Sequence, residues 1–127
     1  MISEFTKALV RTRAGNRCEY CQLHQDDSPL AALHIEHIVP KKHGGPDIID
    51  NLALACIDCN LHKGPNLTGI DPETHEVTEL FHPRRQEWSA HFVWDGIYII
   101  GLTAIGRTTV RVLHMNSDDQ LALRSSE

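Results

Sequence analysis

Two Cys-x-x-Cys pairs, Cys18/Cys21 in "RCEYC" and Cys56/Cys59 in "CIDCN", constrain this 127-residue chain more than any other feature. Each pair makes a tight turn that aims two sulfurs at one point, and together they supply the four soft donors that tetrahedral Zn2+ prefers. A redox dithiol or buried free cysteines would not explain two matched pairs, so the reading is a structural zinc at Cys18, Cys21, Cys56 and Cys59. Four thiolates leave no open coordination position, so this ion holds the two halves together and takes no part in chemistry. The spacing is that of metal sites in reducing compartments, and a cytoplasmic location is expected.

The length is that of one ordinary domain, short enough for a metal staple to help. The longest uncharged run, Gly96 to Gly106, is too short to cross a bilayer, and "MISEFTKALVRTR" lacks the apolar stretch of a secretory signal. No membrane role is expected. The net charge of −5 weighs against nucleic-acid binding unless positive charge is gathered locally.

Along the chain, Ser3 is placed to cap a helix that carries Phe5, Ala8 and Leu9 on one face and stops at Gly15. Leu33, Ile35, Ile38 and Val39 predict a strand stopped by Pro40, followed by the loop "KKHGGPD". "NLALAC" is a short apolar run into the second cysteine pair, and "CNLHKG" starts a short helix closed by Gly64 and Pro65. Beyond Asn66 a turn-rich stretch leads to apolar, β-branched segments, with a hairpin predicted around Asp95-Gly96. The pattern from Gly106 to Met115 fits helix and strand equally.

Taken together, "CEYC", "IEHIVPKKHGG", "DNLALAC" and "CNLHKG" resemble the HNH endonuclease family, with its ββα-metal fold and flanking zinc knuckles, over residues 18 to 64. The resemblance implies an α+β fold: a zinc-stapled ββα-metal domain over residues 1–66, with an N-terminal helix and a C-terminal β-rich extension over residues 67–127. It implies metal-dependent hydrolysis of DNA, with no small-molecule cofactor. Glu36 and Asn60 would hold a catalytic Mg2+ or Mn2+, His37 would act as general base, and Asn51 would brace the loop that orients it. The chemistry is sound on its own terms. Phosphodiester cleavage needs a base near neutral pH and an electrophile at the leaving oxygen, which an imidazole and a hard cation on few protein ligands supply. One geometric demand follows: Glu36 and His37 are adjacent and a regular strand would send them to opposite faces, so the strand is expected to twist or end here.

His34 shares a face with Glu36 and is open to three readings: a further metal ligand, a phosphate contact, or a surface histidine, the last favoured. His24, His43 and His62 read as solvated. Lys63, Lys41 and Lys42 are candidate phosphate contacts. Arg84 and Arg85 read as a solvated face, and Trp88 and Trp94 as core. The rival function is a non-catalytic zinc module that binds nucleic acid or protein, which would have no use for Glu36, His37 and Asn60 in one place.

Overall fold

A computed structural model describes residues 2–125. Helix α1 (Glu4–Arg13) starts at Ser3, whose hydroxyl accepts from the Thr6 amide and satisfies one of the donors a helix start leaves unpaired. Arg13, in its last turn, reaches across to donate to the carbonyls of Ile49 at 3.0 Å and Leu52 at 2.5 Å. The first cysteine turn follows directly.

Strand β1 (His34–His37) pairs antiparallel with β2 (Leu52–Ala55), His34 opposite Ala55 and His37 opposite Leu52. Every residue of β2 is buried, which is why its sequence is an unbroken apolar run. Helix α2 (Ile57–Lys63) begins at Cys56 and ends at Gly64, whose φ of 49° is a conformation that side chains resist. Strand, strand and helix thus make the ββα unit, with the loop of residues 38–51 standing off the strand ends.

Among the described residues, the remaining segment holds two hairpins and three helices. Strands β3 (Thr68–Ile70) and β4 (Val77–Glu79) pair, as do β5 (Phe92–Asp95) and β6 (Tyr98–Gly101), which turn at Gly96. Helices α3 (Trp88–His91), α4 (Ala104–Val112) and α5 (Asp118–Ser125) complete it. The stretch whose pattern fitted helix and strand alike is mostly helix: Thr103 caps α4 by accepting from the Gly106 amide at 3.0 Å, a signal that periodicity does not carry. Asp71, fully buried, is held by both arms of Arg107 and ties the β3–β4 turn to α4.

Val10, Tyr20, Leu33, Leu52 and Leu54 from the first part and Phe81, Phe92, Ile99 and Leu113 from the second belong to one buried cluster. Each such large side chain contributes about 1.5–3 kcal/mol by leaving water. Trp88 joins the parts by donating its indole N–H to the Tyr20 carbonyl at 2.7 Å. Trp94, expected in the core, stays 44% exposed and lies beside Trp88 and under the Arg124 guanidinium. No helix among the described residues is long and apolar enough to cross a membrane.

Candidate metal centre and active site

The sulfurs of Cys18, Cys21, Cys56 and Cys59 all lie within 4.8 Å of one another and are buried. Zn–S bonds of about 2.3 Å in a tetrahedron place sulfurs about 3.8 Å apart, so the cluster already has the size of a zinc site. Within each pair an amide donates back to the first sulfur, Cys21 to Cys18 and Cys59 to Cys56, both at 3.4 Å. This is the local geometry that makes Cys-x-x-Cys a chelating turn. Burial pushes the Cys18 thiol well up, while Cys56, accepting from Cys18 and the other cysteines, is held far down. A dication resolves that uneven sharing of protons by replacing all of them.

Gln120, from α5 and fully buried, turns its amide nitrogen to three of these sulfurs: Cys56 at 3.4 Å, Cys21 at 3.8 Å and Cys59 at 3.9 Å. Nothing local in the sequence marks it as part of the centre. Donors on thiolates spread their charge and fix their direction, and removing such a group weakens metal binding by about 10–100-fold. Gln120→Leu should therefore lose zinc to a competing chelator at correspondingly lower chelator concentration, measured by spectrophotometric zinc release.

A second feature is an open cleft of about 540 Å3 lined by Glu36, His37, Lys41, Asn60 and Leu61 among others. The strand is regular through His37, so the adjacent pair does diverge, and the two side chains reach the cleft from different directions. Glu36 faces inward and is only 7% exposed. Tyr20 donates its hydroxyl to one carboxylate oxygen, and the Lys63 ammonium lies 3.4 Å from the other. Burial pushes the Glu36 carboxyl up, against the opposing pull of Lys63 and Tyr20. Burial and the neighbouring Glu36 charge also push the Tyr20 phenol up, so it remains a donor.

Lys63 is thereby withdrawn from the role anticipated for it. It is 2% exposed and donates to the Ile38 carbonyl at 2.9 Å, so its charge neutralises Glu36 and does not reach an incoming phosphate. Lys63→Met should cost about 3–5 kcal/mol, because it strands a buried carboxylate. The loss should shrink on acidification: with the cation gone, the raised Glu36 value makes the folded state hold a proton that the unfolded state releases, which stabilises it only at low pH. Urea unfolding at two pH values checks this, and adding Glu36→Gln should recover most of the loss.

His37 meets an aspartate that no sequence pattern had marked. Its Nε2 lies 2.5 Å from Asp47 Oδ1, and Lys41 stands 3.5 Å from the same oxygen. The His37 contact, with Lys41 adding its charge, holds the Asp47 carboxyl down from its ordinary 3.8 to about 2. The depressed value means that this contact contributes stability above pH 3.8 and loses it as the pH falls through about 2. An ionised carboxylate only accepts, so the imidazole proton sits on Nε2 and Nδ1 is left as the basic nitrogen.

Asn51 is buried under the loop, donating to the carbonyls of Val39 and Pro46 at 3.0 Å each and accepting from the Val39 amide at 2.9 Å. Gly45 lets the loop close on it: a Cβ there would stand 1.7 Å from the Val39 carbonyl oxygen and 2.9 Å from Asn51 Nδ2. Gly44 has φ 83°. Both glycines of the pair are accounted for, one by conformation and one by contact.

Asn60 projects from α2 with its amide nitrogen 3.4 Å from His34 Nδ1, and His34 is exposed. Lys41 and Lys42 are exposed on the loop. His43 contacts the Pro65 carbonyl at 3.1 Å, His62 stacks on His114, and His24 caps a short turn by accepting from the Asp26 amide. Arg84 is half-buried against Glu19, so it is not a solvated surface residue, whereas Arg85 is exposed.

Residues 18–66 match the sequence model of the HNH endonuclease family. Over 119 residues the chain is 27% identical to the Septu protein PtuB of Bacillus thuringiensis, an alignment covering 92% of this chain and 43% of that protein. The chain therefore spans less than half the length of that curated relative. No solved structure matches it.

Proposed function

We propose that the chain is a divalent-metal-dependent endonuclease that hydrolyses DNA phosphodiester bonds, with His37 as general base and a structural zinc on the four cysteines. The observation that carries this reading is the presence of Glu36, His37 and Asn60 on the walls of one open cleft. A Mg2+ or Mn2+ ion would be held there by Glu36 and the Asn60 carboxamide oxygen. The donor chemistry fits: an ionised carboxylate has about four lone-pair positions, of which Tyr20 and Lys63 occupy two, and oxygen ligands suit a hard cation. Two protein ligands leave most of a hard cation's positions to phosphate oxygens and water, and because Lys63 already offsets the Glu36 charge, substrate would strengthen the seat.

Asp47 keeps the His37 proton on Nε2, and Nδ1 takes the proton from the water that attacks phosphorus. A cation held by Glu36 and Asn60 would supply positive charge to offset the negative charge growing on the leaving 3′ oxygen. Asn51 holds the loop that carries Asp47, and so keeps the base in register with the cleft. Bond breaking on that side leaves a 5′ phosphate and a 3′ hydroxyl. The test is end chemistry: duplex DNA nicked by the zinc-loaded protein with Mg2+ or Mn2+ should be resealed by a DNA ligase. Nicks that a ligase cannot join would overturn the mechanism.

A further inference from the structure

On the far side of the same loop lies a separate groove. Its volume is about 530 Å3, with the Gly44–Pro46 bend on one wall and His82, Arg84 and Arg85 on the other. The chain carries a net charge of −5, yet the guanidinium groups of Arg84 and Arg85 both line this groove, with Asp50 on its loop side as the carboxylate in the lining. Arg85 is exposed and has no carboxylate partner among the described residues. Arg84 pairs with Glu19 through its terminal nitrogen, but its Nε is buried without any hydrogen-bond partner. Arg13 is spent on the carbonyls of Ile49 and Leu52 and lies close enough for its charge to act on Arg84. His82 accepts from the Arg84 amide through Nδ1, which leaves its Nε2 as a donor.

We propose that this groove is a DNA phosphate site, in which Arg85, assisted by Arg84 and His82, holds the backbone of the strand whose scissile linkage occupies the neighbouring cleft. Arg85 offers an uncompensated charge and free N–H donors to this groove, and an anion seated there satisfies both. A backbone phosphate suits the place because guanidinium groups bind it in a forked geometry, and because contacts of this kind set register without reading sequence. Position supports the same partner. Val39 and Asn51 line the groove, while Pro40, Lys41 and His37 line the cleft, so one loop separates the two and a strand crossing it meets both. The charge needed by an acidic nuclease is then local, on the segment outside the HNH domain.

This inference rests on the nuclease reading, and binding separates the two. Fluorescence anisotropy of a labelled DNA duplex, without added Mg2+ or Mn2+, gives affinity as a function of salt. Neutralising one phosphate contact should lower the slope of log affinity against log salt by about 0.9. The loss of affinity between about 50 and 200 mM salt should therefore be about threefold smaller for Arg85→Gln than for wild type. Arg111→Gln, an exposed arginine on α4 outside the groove, should keep the wild-type slope. Equal slopes for wild type and Arg85→Gln would overturn the groove and leave the nuclease reading standing. Failure of zinc-loaded wild type to bind any DNA, including when it binds RNA instead, would overturn both.

Discussion

Cys56→Ser should leave the protein unfolded at ordinary temperature, and a chelator should do the same to wild type. Cys56 has two roles, since its sulfur belongs to the four-cysteine cluster and also caps the helix that carries Asn60 and Lys63. Structural zinc in small domains contributes about 10–16 kcal/mol of folding free energy at neutral pH. A whole domain is stable by only about 5–15 kcal/mol, so removing the ion exceeds what the apolar core can offset. The loss should extend beyond the ββα unit, because Gln120 joins α5 to the sulfurs and Trp88 joins α3 to the first cysteine turn. Circular dichroism melts with parallel zinc quantification check this: the expected result is loss of the cooperative transition together with the zinc. A zinc-free protein that melts like the loaded one would show that the cysteines are not a folding staple.

The cysteine spacing was the most legible part of the sequence, because a chelating turn is a local object whose geometry is set by a few residues. The same holds for α1, with Ser3 before it, and for the strands that flank the HNH loop. Asn51 bonds to the loop backbone and Gly44 and Gly45 form its bend, all within a dozen residues of one another. Contacts made at long sequence separation left no such trace. Asp47 pairs with a histidine across the loop, Gln120 reaches sulfurs from the far end of the chain, and Tyr20 donates to Glu36 from the first cysteine turn. Lys63 is the instructive case: in a helix beside a nuclease motif it reads as a phosphate contact, and only the packing of α2 on β1 reveals a buried countercharge. Arg84 reads as surface until Glu19 is found opposite it.

His37→Ala should abolish most cleavage while leaving the fold intact. The imidazole is partly exposed and makes its contact with Asp47, which retains Lys41 nearby when the ring is removed. Truncation therefore costs little stability, as is usual for a side chain outside the core. Its chemical cost is larger, because a positioned general base contributes about 10²–10⁴-fold to proton transfer. Lys63 cannot take over, held as it is between Glu36 and the Ile38 carbonyl. The most direct measurement is the initial rate at which zinc-loaded protein converts supercoiled plasmid to nicked circles in Mg2+, compared between wild type and His37→Ala at matched zinc content and melting temperature. The expected result is measurable cutting by wild type and a rate at least about 10²-fold lower for the variant. Equal rates for the two proteins, or no cutting by folded wild type, would contradict the assignment of this cleft as the site of cleavage.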